Sequence, residues 1–278
     1  YGLIIFETVK IPLGLILVVV FDLEILGAIL TVILAEFARL IFVSIMIRKE
    51  IRGNISIKYI RFWIQMSWLT IYQNFSGFIR TLDVVIFTVL TGSLIGLAYW
   101  GIAKTVSALV SHSEKMTQGL YPKILATKKK EFAEEAMKRT MFLAIPTFSM
   151  TIIFVKPILY ILNPVYVDGV LIALVMTIRG FAFMFNNISF ELLSAFDSVD
   201  ENKQTSIKNY LKSKLFLLPT LYYISSGIYI SLLTFYLIFA ESTTSDVELV
   251  TMWSVIYLLV TIPLTIYGMI SIRIKHQI

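Results

Sequence analysis

Apolar residues in this chain neither alternate nor keep to one stripe. They run in blocks of about twenty, interrupted by short charged clusters and by Gly, Pro or Asn. A block of that length matches an α-helix crossing a hydrocarbon core of about 30 Å. Placed by hydropathy and bounded by those interruptions, the blocks predict eight spans. They run approximately Gly2–Val20, Ile25–Ile47, Phe62–Val89, Ala98–Pro122, Met141–Leu162, Val170–Phe196, Leu215–Phe239 and Val250–Ile272. Pro12, Pro146, Pro219 and Pro263 fall inside spans, where each removes a ladder donor and permits a bend. Lys128 to Lys130 lead into EFAEEAMKR, which reads as a short mixed-charge helical segment on the membrane surface, a solvated connector ahead of the fifth span.

The connecting segments alternate in charge. Arg48 to Arg61, Lys123 to Arg139, Asp197 to Lys214 and the tail with Arg273 and Lys275 together carry +10. The opposite set, with Asp22, Glu24, Asp168, Glu241, Asp246 and Glu248, carries −6. Basic loops stay in the cytoplasm, so the pattern predicts a multi-pass protein of the cell membrane with both ends cytoplasmic. Composition agrees: 58% of residues are hydrophobic and 15% charged, with a mean hydropathy of +0.83, whereas soluble chains average about 25% charged. The net charge of +6 then reflects loop topology and anionic lipid headgroups rather than a nucleic-acid partner. There is no Cys, and His112 and His276 are far apart, which leaves thiolate chemistry excluded and a His-based metal centre without support.

Charges inside the blocks carry the candidate chemistry. Each Arg, Lys or Asp at a helix centre costs roughly 2.5–3.5 kcal/mol, so such residues face a bundle interior or a wet pathway. In the third span Gln73, Ser76, Gly77, Arg80 and Asp83 share about a third of the helix circumference. In the fourth, Lys104, Ser107, Ser111, Glu114, Lys115 and Gln118 form a second stripe, and in the sixth Arg179 and Asn186 lie two turns apart with Ala182, Phe183 and Phe190 beside them. The seventh lines up Tyr222, Ser225, Ser226, Tyr229 and Tyr236. Arg80 with Asp83, and Lys115 with Glu114, are placed for local pairing, whereas Lys104 and Arg179 have no carboxylate at helical spacing. Those two pair with carboxylates of other spans, or snorkel, or face a cavity holding an anionic headgroup such as a phosphate. Asp83 reads as a salt-bridge partner of Arg80, a cation ligand, or a gate whose protonation releases Arg80. Glu7 with Lys10 and Glu36 with Arg39 stand at i,i+3 and read as intrahelical pairs.

Enzyme signatures are missing: no Gly-rich phosphate loop, HExxH or GxSxG occurs, and Asp197 and Asp200 in DSVDENKQ suit turn chemistry. A membrane glycosyltransferase or ligase would need a large extracytoplasmic loop that the pattern does not provide. The reading is a transporter rather than an enzyme.

The segment IRTLDVVIFTVLTGSLIGLAYWGIAK, with Asp83, Gly92, Gly96, Tyr99 and Ala103, resembles the polysaccharide flippases of the multidrug/oligosaccharidyl-lipid/polysaccharide exporter superfamily. YPKI at Tyr121 to Ile124 and ILNPVYVDGV at Ile161 to Val170 sit where that family has a proline and a short outer turn. The resemblance implies an all-α bundle with two six-helix lobes. Residues 1–47 would end the N-terminal lobe, 48–61 would form the cytoplasmic inter-lobe loop, and 62–278 would form the C-terminal lobe of a chain extending about four spans upstream. It implies a monomeric transporter, without cofactor but with possible Na+ or H+ coupling, that flips a polyprenyl-linked oligosaccharide for surface glycan assembly. Lys104, Arg179, Asn186 and Gln73 would bind the substrate, and Arg80, Asp83 and Glu114 would couple or gate. The alternatives are a cation-coupled multidrug exporter of the related branch, or a membrane-embedded glycosyltransferase or ligase.

Overall fold

The structure is a computed structural model that describes residues 2–48, 57–115, 119–197, 211, 213–240 and 244–276. Among the described residues it is all-α, with nine α-helices: α1 (Gly2–Gly14), α2 (Glu24–Met46), α3 (Ile57–Thr91), α4 (Leu94–Ser111), α5 (Tyr121–Thr127), α6 (Lys130–Leu162), α7 (Val170–Ala195), α8 (Lys214–Phe239) and α9 (Asp246–His276). Seven helical segments are long and apolar enough to cross a membrane. The chain is a polytopic helical membrane protein.

The expected first span is where the count of eight differs. Gly2–Val20 is an α-helix only to Gly14 and continues as a π-helical stretch over Leu15–Val20. Pro12 lies in its last turn, where a ring without an N–H weakens the regular ladder. The fourth span starts earlier, at Leu94, and its α-helix ends at Ser111, followed by a 3-10 turn over His112–Glu114. Gln118 lies outside the described residues, and α5 is a separate short helix with Pro at its start. The charged segment ahead of the fifth span is not a separate connector: α6 is continuous from Lys130. No breaker separates EFAEEAMKR from the apolar run, and Lys130–Glu134 (3.4 Å) and Arg139–Glu135 pair at i,i+4 along it, so Ala, Glu and Lys simply extend the helix. The loop expected at 48–61 falls largely on residues 49–56, outside the described residues, and α3 begins at Ile57.

The chain divides into two compact units, Tyr1–Gln65 and Met66–Ile278. In the first, α1 and α2 form an antiparallel hairpin, since Gly2 lies beside Arg39 and Val43 and Gly14 lies beside Thr31. The pairs Glu7–Lys10 and Glu36–Arg39 are formed, at 2.7 and 3.0 Å.

The second unit is arranged around α7, which packs against α4 on one side and α9 on the other. The α4 contact is close because Gly180 has no side chain: a Cβ there would fall 2.3 Å from Ser107 Oγ. Ser107 uses that approach to donate to the Met176 carbonyl at 2.7 Å. Small residues that let backbones approach are the usual means of helix association where lipid supplies no hydrophobic drive. Thr265 of α9 likewise donates to the Ala182 carbonyl at 3.0 Å. At the turn between α3 and α4, Gly92 has φ +67, a conformation glycine adopts without a Cβ clash, and Ser93 caps α4 by accepting from Gly96 N–H at 2.8 Å. Apolar side chains such as Phe142, Ile153 and Phe235 are turned outward, as lipid contact requires.

Candidate substrate cavity

Polar side chains join α3 to α8 at several levels. Tyr72 and Thr220 share a hydrogen bond of 2.9 Å, and Tyr223 donates to the Tyr72 carbonyl at 2.7 Å. Further along both helices, Arg80 donates through Nε to Ser226 and through a terminal nitrogen to Ser225, both at 3.0 Å. Tyr229 donates to Asp83 Oδ2 at 2.8 Å. Residue numbers rise together on both helices, so α3 and α8 run parallel.

These contacts correct one expectation. Arg80 and Asp83 do not pair with each other: the guanidinium is taken by two serine hydroxyls and lies over the Tyr222 ring at 5.1 Å. Asp83 accepts from Tyr229 and from Val84 N–H at 2.7 Å. Tyr229 in turn accepts from Trp253 Nε1 at 2.6 Å, which makes a buried chain from α9 through α8 to α3. Glu114 does not pair with Lys115 either, but accepts from Asn187 at 2.9 Å. In both cases a residue on a neighbouring helix lies closer to the functional atoms than the local partner does.

Within the second unit, residues of α3, α4, α5, α7, α8 and α9 line an open cavity of about 720 Å³. Gln73, Arg80, Asp83, Lys104 and Arg179 all line it. Asn186 and Glu114 do not line it, but they join its wall through hydrogen bonds: Asn186 donates to Tyr222 at 2.9 Å, Tyr222 donates to Asn187 at 3.2 Å, and Asn187 donates to Glu114. Arg179 is 9% exposed. It donates to Tyr257 hydroxyl at 2.8 Å and lies between the rings of Phe183 and Tyr257, 4.2 and 3.9 Å from their centroids. Its Nε has no partner among the described residues. Such a sandwich holds a guanidinium flat, with donors left for something else. Lys104 lies 6.0 Å from the Trp100 ring. Neither Lys104 nor Arg179 forms an ion pair with a carboxylate among the described residues. Behind Asp83 and Arg179, Trp100 stacks on Trp253 at 3.9 Å and Tyr229 stacks on Tyr257 at 4.6 Å, a rigid aromatic backing.

Sequence reasoning passes over four residues of the wall. Tyr257 sits mid-span with no pattern around it. Asn187, Glu191 and Ser194 follow Arg179 on α7, and their spacing of three and four was a usable signal. Among the described residues, no group of three or more His, Asp and Glu is placed to hold a metal ion. In comparisons with known proteins, the chain matches no family model, no curated protein and no solved structure.

Proposed function

We propose that the protein is a transporter that flips a polyprenyl-phosphate-linked oligosaccharide across the cell membrane for surface glycan assembly. The observation that carries this reading is the set of three cations, Arg80, Lys104 and Arg179, on the wall of one cavity with no ion-pairing carboxylate among the described residues. Buried cations are costly unless an anion accompanies them, and a phosphate accepts both the planar fork of Arg and the point charge of Lys. The volume suits a polar headgroup and a few sugars better than a whole lipid, whose chain would remain in the bilayer. Membrane insertion of the surrounding helices gives the cargo its route.

A second reading, a cation-coupled drug exporter, draws on Asp83, Glu191 and the aromatic rings of the same wall, which also suit an organic cation. Proteoliposomes separate the two. Inward or outward movement of a fluorescent polyprenyl-diphosphate oligosaccharide is expected, with a drop of at least about tenfold for Arg179→Ala at unchanged folding, as removal of one charged hydrogen bond to the cargo would produce. Efflux of a lipophilic cationic dye with no movement of the lipid-linked glycan would establish the second reading instead.

A further inference from the structure

The cavity has two chemically different ends. At one, Asp83 is under the influence of Lys104 and Arg179, and Arg179 is under that of Arg80, so the cations are gathered there. At the other, Glu191 of α7 lines the wall twelve residues further along, a rise of about 18 Å. Electrostatically it is acted on by Glu114, another carboxylate. Among the described residues Glu191 Oε2 has neither a hydrogen-bond partner nor solvent contact, and a carboxylate oxygen in that position needs a donor. Nearby acceptor and donor capacity is partly used: Asn187 is bonded to Glu114 and Tyr222. Gln73 of α3 and Ser194 of α7 line the same cavity, Gln73 two turns before Arg80.

We propose that this end is a second subsite, built from Gln73, Asn187, Glu191 and Ser194, which takes the hydrogen-bond-donor groups of the cargo's sugar headgroup while its anionic group sits against Arg179. The proposal deepens the flippase reading and rests on it. A carboxylate with an unpartnered oxygen, amides and a hydroxyl are the groups that bind sugar hydroxyls, acetamido N–H groups or the ammonium of an amino sugar. The separation of about 18 Å leaves room for a few sugars between the two ends. A cargo bearing only a phosphate would leave Glu191 without a donor; a glycosylated one reaches it.

Equilibrium binding to the full chain in lipid nanodiscs tests this with two probes that share one short prenyl chain: a prenyl diphosphate carrying an N-acetylated disaccharide, and the same prenyl diphosphate without sugar. Glu191→Leu is expected to weaken the glycosylated probe about tenfold and leave the bare one within about twofold. Arg179→Gln weakens both. Glu191→Gln, which keeps the shape and one acceptor, restores the N-acetylated probe; failure to restore a free-amine version of the sugar identifies the bound donor as an ammonium, and restoration of both identifies neutral donors. If Glu191→Leu does not fold, Ser194→Phe fills the same end from the next turn and carries the same expectation. Equal weakening of both probes, or weakening of neither, overturns the subsite while the effect of Arg179→Gln leaves the flippase reading standing. If the wild-type chain binds neither probe, that reading fails and the subsite fails with it.

Discussion

Tyr229, rather than Arg80, is the residue on which Asp83 depends. The hydroxyl donates to the carboxylate and accepts from Trp253, and Tyr229 and Trp253 are fully buried. Tyr229→Phe removes both bonds and leaves two buried polar atoms without partners, an expected cost of about 2–4 kcal/mol. Asp83→Asn keeps an acceptor for Tyr229, gives up the one that Val84 N–H uses and leaves the serine contacts of Arg80 untouched, so it is expected to cost about 1 kcal/mol. Thermal unfolding of the two variants in detergent ranks them. A larger destabilisation in Asp83→Asn, rescued by Arg80→Gln, would restore the salt-bridge role that the sequence suggested. Arg179 illustrates the same principle at the cavity wall: a guanidinium held between two rings keeps its direction without a carboxylate.

Among the elements, α7 is the one that others are fitted to. It meets α4 through Gly180 and Ser107 and meets α9 through Ala182 and Thr265, and it carries Arg179 and Glu191 to the two ends of the cavity. Gly180→Leu would place a side chain into Ser107 and its carbonyl, forcing α4 and α7 apart at the level of Arg179. The expected cost is about 1–3 kcal/mol or more, as for overpacked cores. Gly101→Leu, at a position with open space around it, is the control and should leave the unfolding temperature close to wild type. Equal tolerance of both substitutions would mean that the close α4–α7 contact does not form. The seam between α3 and α8 is of a different kind, polar side chains rather than close backbone contact. Its parallel direction agrees with α4, α6 and α7 each crossing once between them.

For the whole molecule, the alternation of basic and acidic connectors predicts that residues 123 to 139 face the cytoplasm and the stretch around Ser242 faces outward. The absence of Cys makes this directly measurable. Single substitutions Thr127→Cys and Ser242→Cys, exposed in intact cells to a membrane-impermeant thiol reagent, should be labelled only at Ser242→Cys. Labelling of Thr127→Cys alone reverses the orientation. Continuity of α6 from Lys130 matters here, because its first turns then extend the helix out of the bilayer with Lys130, Glu134, Glu135 and Arg139 paired along it.

Hydropathy by itself determined the class of fold and, within about five residues, the spans Ile25–Ile47, Phe62–Val89, Val170–Phe196, Leu215–Phe239 and Val250–Ile272, because about twenty apolar residues in a row have one stable arrangement in lipid. It also marked Gln73, Arg80, Asp83, Lys104 and Arg179, since a charge or amide in such a run has a reason to be there. The i,i+3 pairs of Glu7 and Glu36 were legible for the same local reason: both partners lie on one helix. The break after Gly14 was not, since Leu15–Val20 is as apolar as any regular helix and a π-helical stretch leaves no mark in hydropathy. The extension of α6 was missed because charge was taken as a boundary, whereas helix propensity ignores it. Tertiary structure alone decided who bonds to whom. Arg80 lies one turn from Asp83 in sequence, yet Ser225, Ser226 and Tyr229 arrive from α8 with better geometry, and Tyr257 arrives from α9 to hold Arg179. One helix face is fixed by the 3.6-residue period; which neighbour fills that face is fixed by how closely two backbones can approach, and that depends on side chains 78 to 146 residues away.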